Sequence, residues 1–183
     1  VGVIALITGL HHTDGLLDFG DAIVYQGPHS KKIDVMRDEQ TGVGGWVLGT
    51  ITILLTAISI SELNLNIIIQ ALIASEVSAK FSMVTVAWSG KSASPGIGRS
   101  FIEGMHRSHL HLIVALILSS AISISLLGAN GIVSLIAGVI VSLIILGASN
   151  RHFGGVTGDV FGATNDLARM ASLVTIIGLI GWP

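Results

Sequence analysis

The chain has 183 residues, 51% of them hydrophobic and only 11% charged, with nine Lys and Arg against eleven Asp and Glu. A soluble domain carries about a quarter charged residues, so the composition excludes an ordinary water-soluble globule, and the near-neutral balance gives no reason to expect nucleic acid as a partner. Cysteine is absent, which excludes disulfides and thiolate metal sites.

The hydropathy pattern predicts an all-α, polytopic transmembrane helical bundle with about six helices, forming a single integral-membrane domain over 1–183 with the lipid bilayer as its solvent. The expected membrane segments are 1–10, 43–61, 64–88, 110–127, 131–149 and 167–182. The first is too short to span, so further chain is expected before it. Residues 43–61 and 112–150 hold no charged residue and no histidine, and the second run is long enough for two spans with a hairpin at Gly128-Ala129-Asn130-Gly131.

Three long polar loops are expected at 11–42, 89–109 and 150–166, alternating with short turns at 62–63 and 128–130. Lys31, Lys32, Arg37, Lys91, Arg99, Arg107 and Arg151 all fall in the long segments, and neither short turn carries a basic residue. The positive-inside rule then puts the long loops on the cytoplasmic side of a cell membrane.

In the first loop, His11, Asp14, Asp18 and Asp21 share one helical face within about 80° of arc. Carboxylates that close repel one another, and a divalent cation such as Mg²⁺ is the usual compensation for a set of hard oxygen ligands. In the span at 64–88, Glu76 and Lys80 are spaced i,i+4 and are expected to pair with each other or to line a cavity floor.

The third loop holds a second acidic cluster. Gly154, Gly155, Thr157 and Gly158 lead into a helical stretch in which Asp159 and Asp166 share a face. A glycine-rich lead lets backbone N–H groups approach an anion, and carboxylates beside it suit a metal-bridged phosphate. Lys31, Lys32 and Arg37 in the first loop and Lys91, Arg99 and Arg107 in the second are the basic side chains a polyphosphate substrate needs, and each is equally explained by the enrichment of cytoplasmic loops in Lys and Arg. Walker A, Gly-x-Ser-x-Gly and His-Glu-x-x-His sequences are all missing. The residues alone describe a metal-dependent enzyme of phosphate chemistry at one face of a membrane.

Four blocks, in order, are similar to one family. Thr8-Gly9-Leu10-His11-His12-Thr13-Asp14-Gly15-Leu16-Leu17-Asp18-Phe19-Gly20-Asp21 resembles the acidic motif of the adenosylcobinamide-GDP ribazoletransferases, or cobalamin synthases. The block from Val35 to Gly45, which holds Arg37 and Asp38, the stretch Ala79-Lys80-Phe81-Ser82-Met83 with Pro95-Gly96-Ile97-Gly98, and Gly154-Gly155-Val156-Thr157-Gly158-Asp159 with Gly162-Ala163-Thr164-Asn165 resemble its later motifs. Arg37 stands where lysine is common and Asp166 where glutamate is expected.

The resemblance covers nearly the whole chain. It implies displacement of GMP from adenosylcobinamide-GDP by α-ribazole or its 5′-phosphate, the last assembly step of cobalamin, with Mg²⁺ as cofactor. It implies metal ligands among Asp14, Asp18, Asp21, Asp159 and Asp166, and substrate contacts from Lys32, Arg37, Asp38, Lys80, Gly155, Thr157 and Asn165. His11 or Asp21 is expected to take the hydroxyl proton. A CDP-alcohol phosphotransferase is the nearest rival, a membrane transporter a more distant one, and a homo-oligomer is left open.

Overall fold

A computed structural model describes residues 10–180. Eight helices run in order: α1 (His11–Val24), α2 (His29–Met36), α3 (Val43–Ser61), α4 (Ile68–Ser89), α5 (Ile97–His106), α6 (Leu110–Leu127), α7 (Ala129–Phe153) and α8 (Gly158–Ile180). Among the described residues there is no strand, only an isolated parallel bridge between Ser92 and Val156. Five helices, α3, α4, α6, α7 and α8, are long and apolar enough to cross a membrane, so the chain is a multi-pass membrane protein. Of the segment expected at 1–10, all but its last residue lies outside the described residues.

The burial pattern is that of a bundle in lipid. Ser75, Ser78, Ser82 and Thr85 are buried along α4, and Ser134, Gly138, Ser142 and Ser149 along α7. The large residues of the same bundle point outward: Ile113, Leu116 and Ile117 of α6 and Ile136, Ile140 and Ile144 of α7 are all exposed. Lipid leaves no drive to bury Leu and Ile between helices, so small residues take the contacts and let backbones close up. A Cβ on Gly138 would come within 2.2 Å of Ser78 Oγ and 2.9 Å of Ser82 Oγ, so the serine hydroxyls of α4 fill the space that glycine leaves on α7.

Helix α8 is the hub, packed against α1, α3, α4 and α7, while α6 covers α4 and α7 from outside. The connections sort the bundle into two ends. At one end are the turn at 62–67 and the single residue Gly128 (φ +58°) between α6 and α7. At the other are α1, α2, α5 and the link from Gly154 to Thr157, packed on a cluster of Leu16, Phe19, Met36, Val86, Phe153 and Val160.

The polar segments are nevertheless largely helical. Most of 11–42 is α1 and α2, and 89–109 contains α5. The last span starts at Gly158 rather than at 167, because Thr157 caps it, its Oγ1 accepting from the Val160 N–H at 3.4 Å. Asp159 and Asp166 therefore belong to a long candidate span and not to a loop.

Candidate active site

The site is set by one helix crossing. A Cβ on Gly15 of α1 would stand 2.9 Å from the Cα of Asp159, and one on Gly162 of α8 would stand 2.8 Å from the carbonyl oxygen of His12. With no side chain at either position, α1 lies against the first two turns of α8. That contact carries Asp14 and Asp18 from one end of the sequence to Asp159 near the other.

The electrostatic consequence appears at Asp18. Burial, then the negative charges of Asp14, Asp159 and Asp21, push its carboxyl up to about 7. Asp159 accepts from Thr157 Oγ1 at 3.2 Å, and Arg37 is near enough for its charge to reach Asp159. Among the described residues no three carboxylate or imidazole groups converge tightly enough to enclose one ion. Uncompensated negative charge with incomplete protein coordination fits Mg²⁺, which is held by one or two carboxylates and completes its octahedron with phosphate oxygens and water.

A cavity of about 660 Å³ opens beside this cluster. His11, His12, Asp14, Lys80, Gly158 and Asp159 form its polar part, while Met83, Val84, Ala87, Phe101, Met105 and Phe161 form an apolar wall. Gly98 at the start of α5 abuts Thr157 and Gly158, so two helix N-termini meet at its edge. His12 is pulled below the ordinary histidine value by burial first and then by the charge of Lys80, and its Nδ1 is buried without a partner.

Other expected site residues have different surroundings. Asp21 is buried, and its two oxygens accept from the Gly42 and Gly45 N–H groups at 2.6 and 2.8 Å. Helix α3 has no capping side chain of its own, and Asp21 supplies one from α1. Lys32 is likewise buried, and its Nζ donates to the carbonyls of Ala22 (3.0 Å), Ile23 (3.2 Å) and Tyr25, closing the carboxyl end of α1. The three hydrogens of its ammonium are occupied by backbone, away from the cavity. Arg37 and Asp38 are exposed after α2, with Asp38 accepting from the Gln40 N–H at 3.1 Å.

The second acidic cluster divides. Asp159 faces the cavity, whereas Asp166 is buried and accepts from Thr13 Oγ1 at 3.1 Å, Asn165 Nδ2 at 3.0 Å and Arg169 at 2.8 Å. Arg169 also forms an ion pair with Glu76, one contact of which is 3.3 Å. The expected Glu76–Lys80 pair is thus replaced: Glu76 turns to α8, and Lys80 donates to Asn165 Oδ1 at 2.7 Å. Spacing along one helix made Glu76 and Lys80 neighbours, but an arginine on the next helix is the better carboxylate partner.

Gly155 lies where Lys91 to Ala93 run alongside, and a Cβ there would come to 2.5 Å of the Lys91 carbonyl oxygen. The Val156 N–H donates to that oxygen at 2.8 Å, and the Ala93 N–H donates to the Val156 carbonyl at 3.0 Å. These bonds stitch the α4–α5 link to the lead of α8. Sequence reasoning did not single out His12, Arg169 or this pairing. The one available signal was for Arg169, a lone arginine inside an apolar span, which demands a buried acid.

A family model described as cobalamin-5-phosphate synthase matches residues 1–177. The chain belongs to the cobalamin-5-phosphate synthase family. It is 35% identical over 199 aligned residues to the adenosylcobinamide-GDP ribazoletransferase of Methanocella arvoryzae, an alignment covering 100% of this chain and 73% of that one. The proteins of the same name from Methanococcoides burtonii (32% identity, 93% of this chain, 66% of that one) and Thermococcus kodakarensis (31%, 95% and 73%) are also similar. No solved structure matches. For a member of this family, neither the CDP-alcohol phosphotransferase nor the transporter reading is favoured.

Proposed function

We propose that this protein joins α-ribazole, or its 5′-phosphate, to adenosylcobinamide-GDP with release of GMP, in a Mg²⁺-dependent reaction at the cytoplasmic face of the cell membrane. The observation that carries this reading is the Gly15–Asp159 contact, which gathers Asp14, Asp18 and Asp159 beside one cavity. Family membership supplies the reaction class, and the relatives' names supply the donor.

In the reaction a ribose hydroxyl oxygen bonds to the phosphorus nearer the corrinoid. The anhydride bond to the second phosphorus breaks, GMP leaves with the bridging oxygen, and the hydroxyl proton passes to a base. One or two of Asp14, Asp18 and Asp159, which together do not enclose an ion, would hold Mg²⁺, which when bound neutralises charge on the diphosphate and on the departing GMP. Lys80 and the abutting starts of α5 and α8 favour the same anionic groups from the cavity side. The apolar wall around Phe101, Met105 and Phe161 keeps water from the anhydride. Of the two groups expected to take the proton, His11 lines the cavity, while Asp21 is occupied by backbone amides.

The test is GMP release by the purified protein in proteoliposomes, with adenosylcobinamide-GDP as donor and α-ribazole 5′-phosphate as acceptor, with and without Mg²⁺. Release that requires both substrates and the metal is expected. Absence of release from folded protein under saturating substrates would overturn the reading.

A further inference from the structure

We propose that Lys80 is the anion-holding arm of the cavity, and that Asn165, Asp166, Arg169 and Glu76 are positioning residues that keep its ammonium presented there. The proposal deepens the reading above and takes its ligand, a diphosphate, from it.

The four charges of Glu76, Asp166, Arg169 and Lys80 sum to zero, as a cluster in the middle of a bilayer bundle requires. A purely balancing lysine would sit on the carboxylates. Instead, among the described residues, Arg169 is the one cation paired with them, bridging Glu76 and Asp166, and Lys80 has no carboxylate within ion-pair distance. Among the described residues its single hydrogen-bond partner is a neutral amide oxygen, that of Asn165 at 2.7 Å, and although it stands mid-helix it is exposed, because the cavity opens onto it. Two of its three N–H groups are left for a ligand. It is also the one Lys or Arg among the residues lining that cavity.

The amide cannot turn around. Asn165 is fully buried, and its Nδ2 donates to Asp166, which leaves Oδ1 facing Lys80. Asp166 is in turn fixed by Arg169 and by Thr13 of α1, and Arg169 by Glu76 of α4. The order of this relay runs from two neighbouring helices, through α8, to one ammonium. An ammonium lining the same cavity as Asp14 and Asp159 suits a ligand rich in anionic oxygens whose remaining charge a divalent cation held by those carboxylates would neutralise.

The experiment is calorimetric titration of the full chain in detergent with inorganic pyrophosphate and Mg²⁺, with melting temperatures recorded for every variant. Lys80→Met should weaken binding by about tenfold or more, and Lys80→Arg should recover most of it. Asn165→Ala should also weaken binding, and the double variant should be no worse than Lys80→Met, since Asn165 acts only through Lys80. Wild-type binding by a normally melting Lys80→Met protein would overturn the subsite. Undiminished binding by Asn165→Ala, which leaves all four charges in place, would overturn the positioning role even if Lys80→Met failed to fold. Pyrophosphate binding needs no corrinoid, so loss of GMP release in the wild type would count against the reaction proposed above and not against this subsite.

Discussion

Gly15 and Asp159 touch backbone to backbone: a Cβ at position 15 would lie 2.9 Å from the Asp159 Cα and 3.0 Å from its carbonyl oxygen. Neither atom is the end of a flexible side chain, so α1 would have to move away from α8 to admit a methyl group. Gly15→Ala is therefore expected to destabilise the protein by about 1–3 kcal/mol, as overpacking does, and to cost activity by moving Asp14 and Asp18 away from Asp159. Melting temperature and GMP release check the two parts. A Gly15→Ala protein with unchanged melting and full activity would show that the crossing is looser than the structure has it.

Asp14→Asn and Asp18→Asn remove negative charge from the cluster without removing volume. Each is expected to lower GMP release by about a hundredfold or more, the scale on which an electrostatic group at a reacting phosphate acts. Folding should survive, because among the described residues neither side chain makes a hydrogen bond comparable to the caps formed by Asp21 and Lys32. Near-normal release by both variants would sink the metal assignment.

The carboxyl of Asp18 makes a pH prediction for metal-free protein. Its folded value of about 7 lies above its ordinary 3.8, so between these values the folded state holds a proton that the unfolded chain releases. The contribution of this group is fully present below 3.8 and is lost as pH rises through 7. His12 acts in the opposite direction: its value is lowered from 6.5, so its contribution is present above 6.5 and lost as pH falls through the lowered value. The comparison that isolates Asp18 is thus wild type against Asp18→Asn, melted without metal at about pH 5.5 and about pH 8. Wild type should lose more stability than the variant over that rise. Identical pH dependence in the two proteins would contradict the raised carboxyl.

Asp21 and Lys32 are expected to report on stability before catalysis. Asp21→Ala strips the cap from α3 and leaves two N–H groups without their carboxylate, at a cost of about 1–3 kcal/mol. Lys32→Met leaves three carbonyls at the end of α1 short of a donor, with a cost of similar size. Both should melt early, and for Lys32→Met the Michaelis constants of the folded fraction should stay near wild type. A Lys32→Met protein of normal melting temperature but raised donor KM would return this lysine to the substrate.

Arg169→Gln leaves Glu76 and Asp166 facing one another with no cation between them. This ion pair is partly buried, so breaking it on one side is expected to cost less than the roughly 3–5 kcal/mol of a fully buried pair, read as lost melting temperature or lost membrane yield. Glu76→Gln combined with Arg169→Gln should recover part of it, and failure of the pair to do better than the single change would speak against a direct contact.

The sequence by itself determined the class of the molecule and where its chemistry gathers. Long uncharged runs can only be satisfied in lipid as helices, and basic residues confined to alternate segments sort the ends of the bundle. The acidic and glycine motifs, being contiguous, were legible without a structure and carry the family. Asp14 and Asp18 were visible on one helical face and Asp159 in a separate cluster. What the tertiary structure decided is which polar groups are used up by the fold. Asp21, Lys32 and Asp166 have the same chemistry as the cavity residues, but each is bonded to groups 21, 10 or 153 positions away in the chain. The same holds for Glu76, whose partner is 93 residues distant rather than four. Periodicity reports which face a residue occupies and nothing about which helix lies opposite, and in a bundle closed by glycine and serine contacts the opposite helix decides the role of each charge.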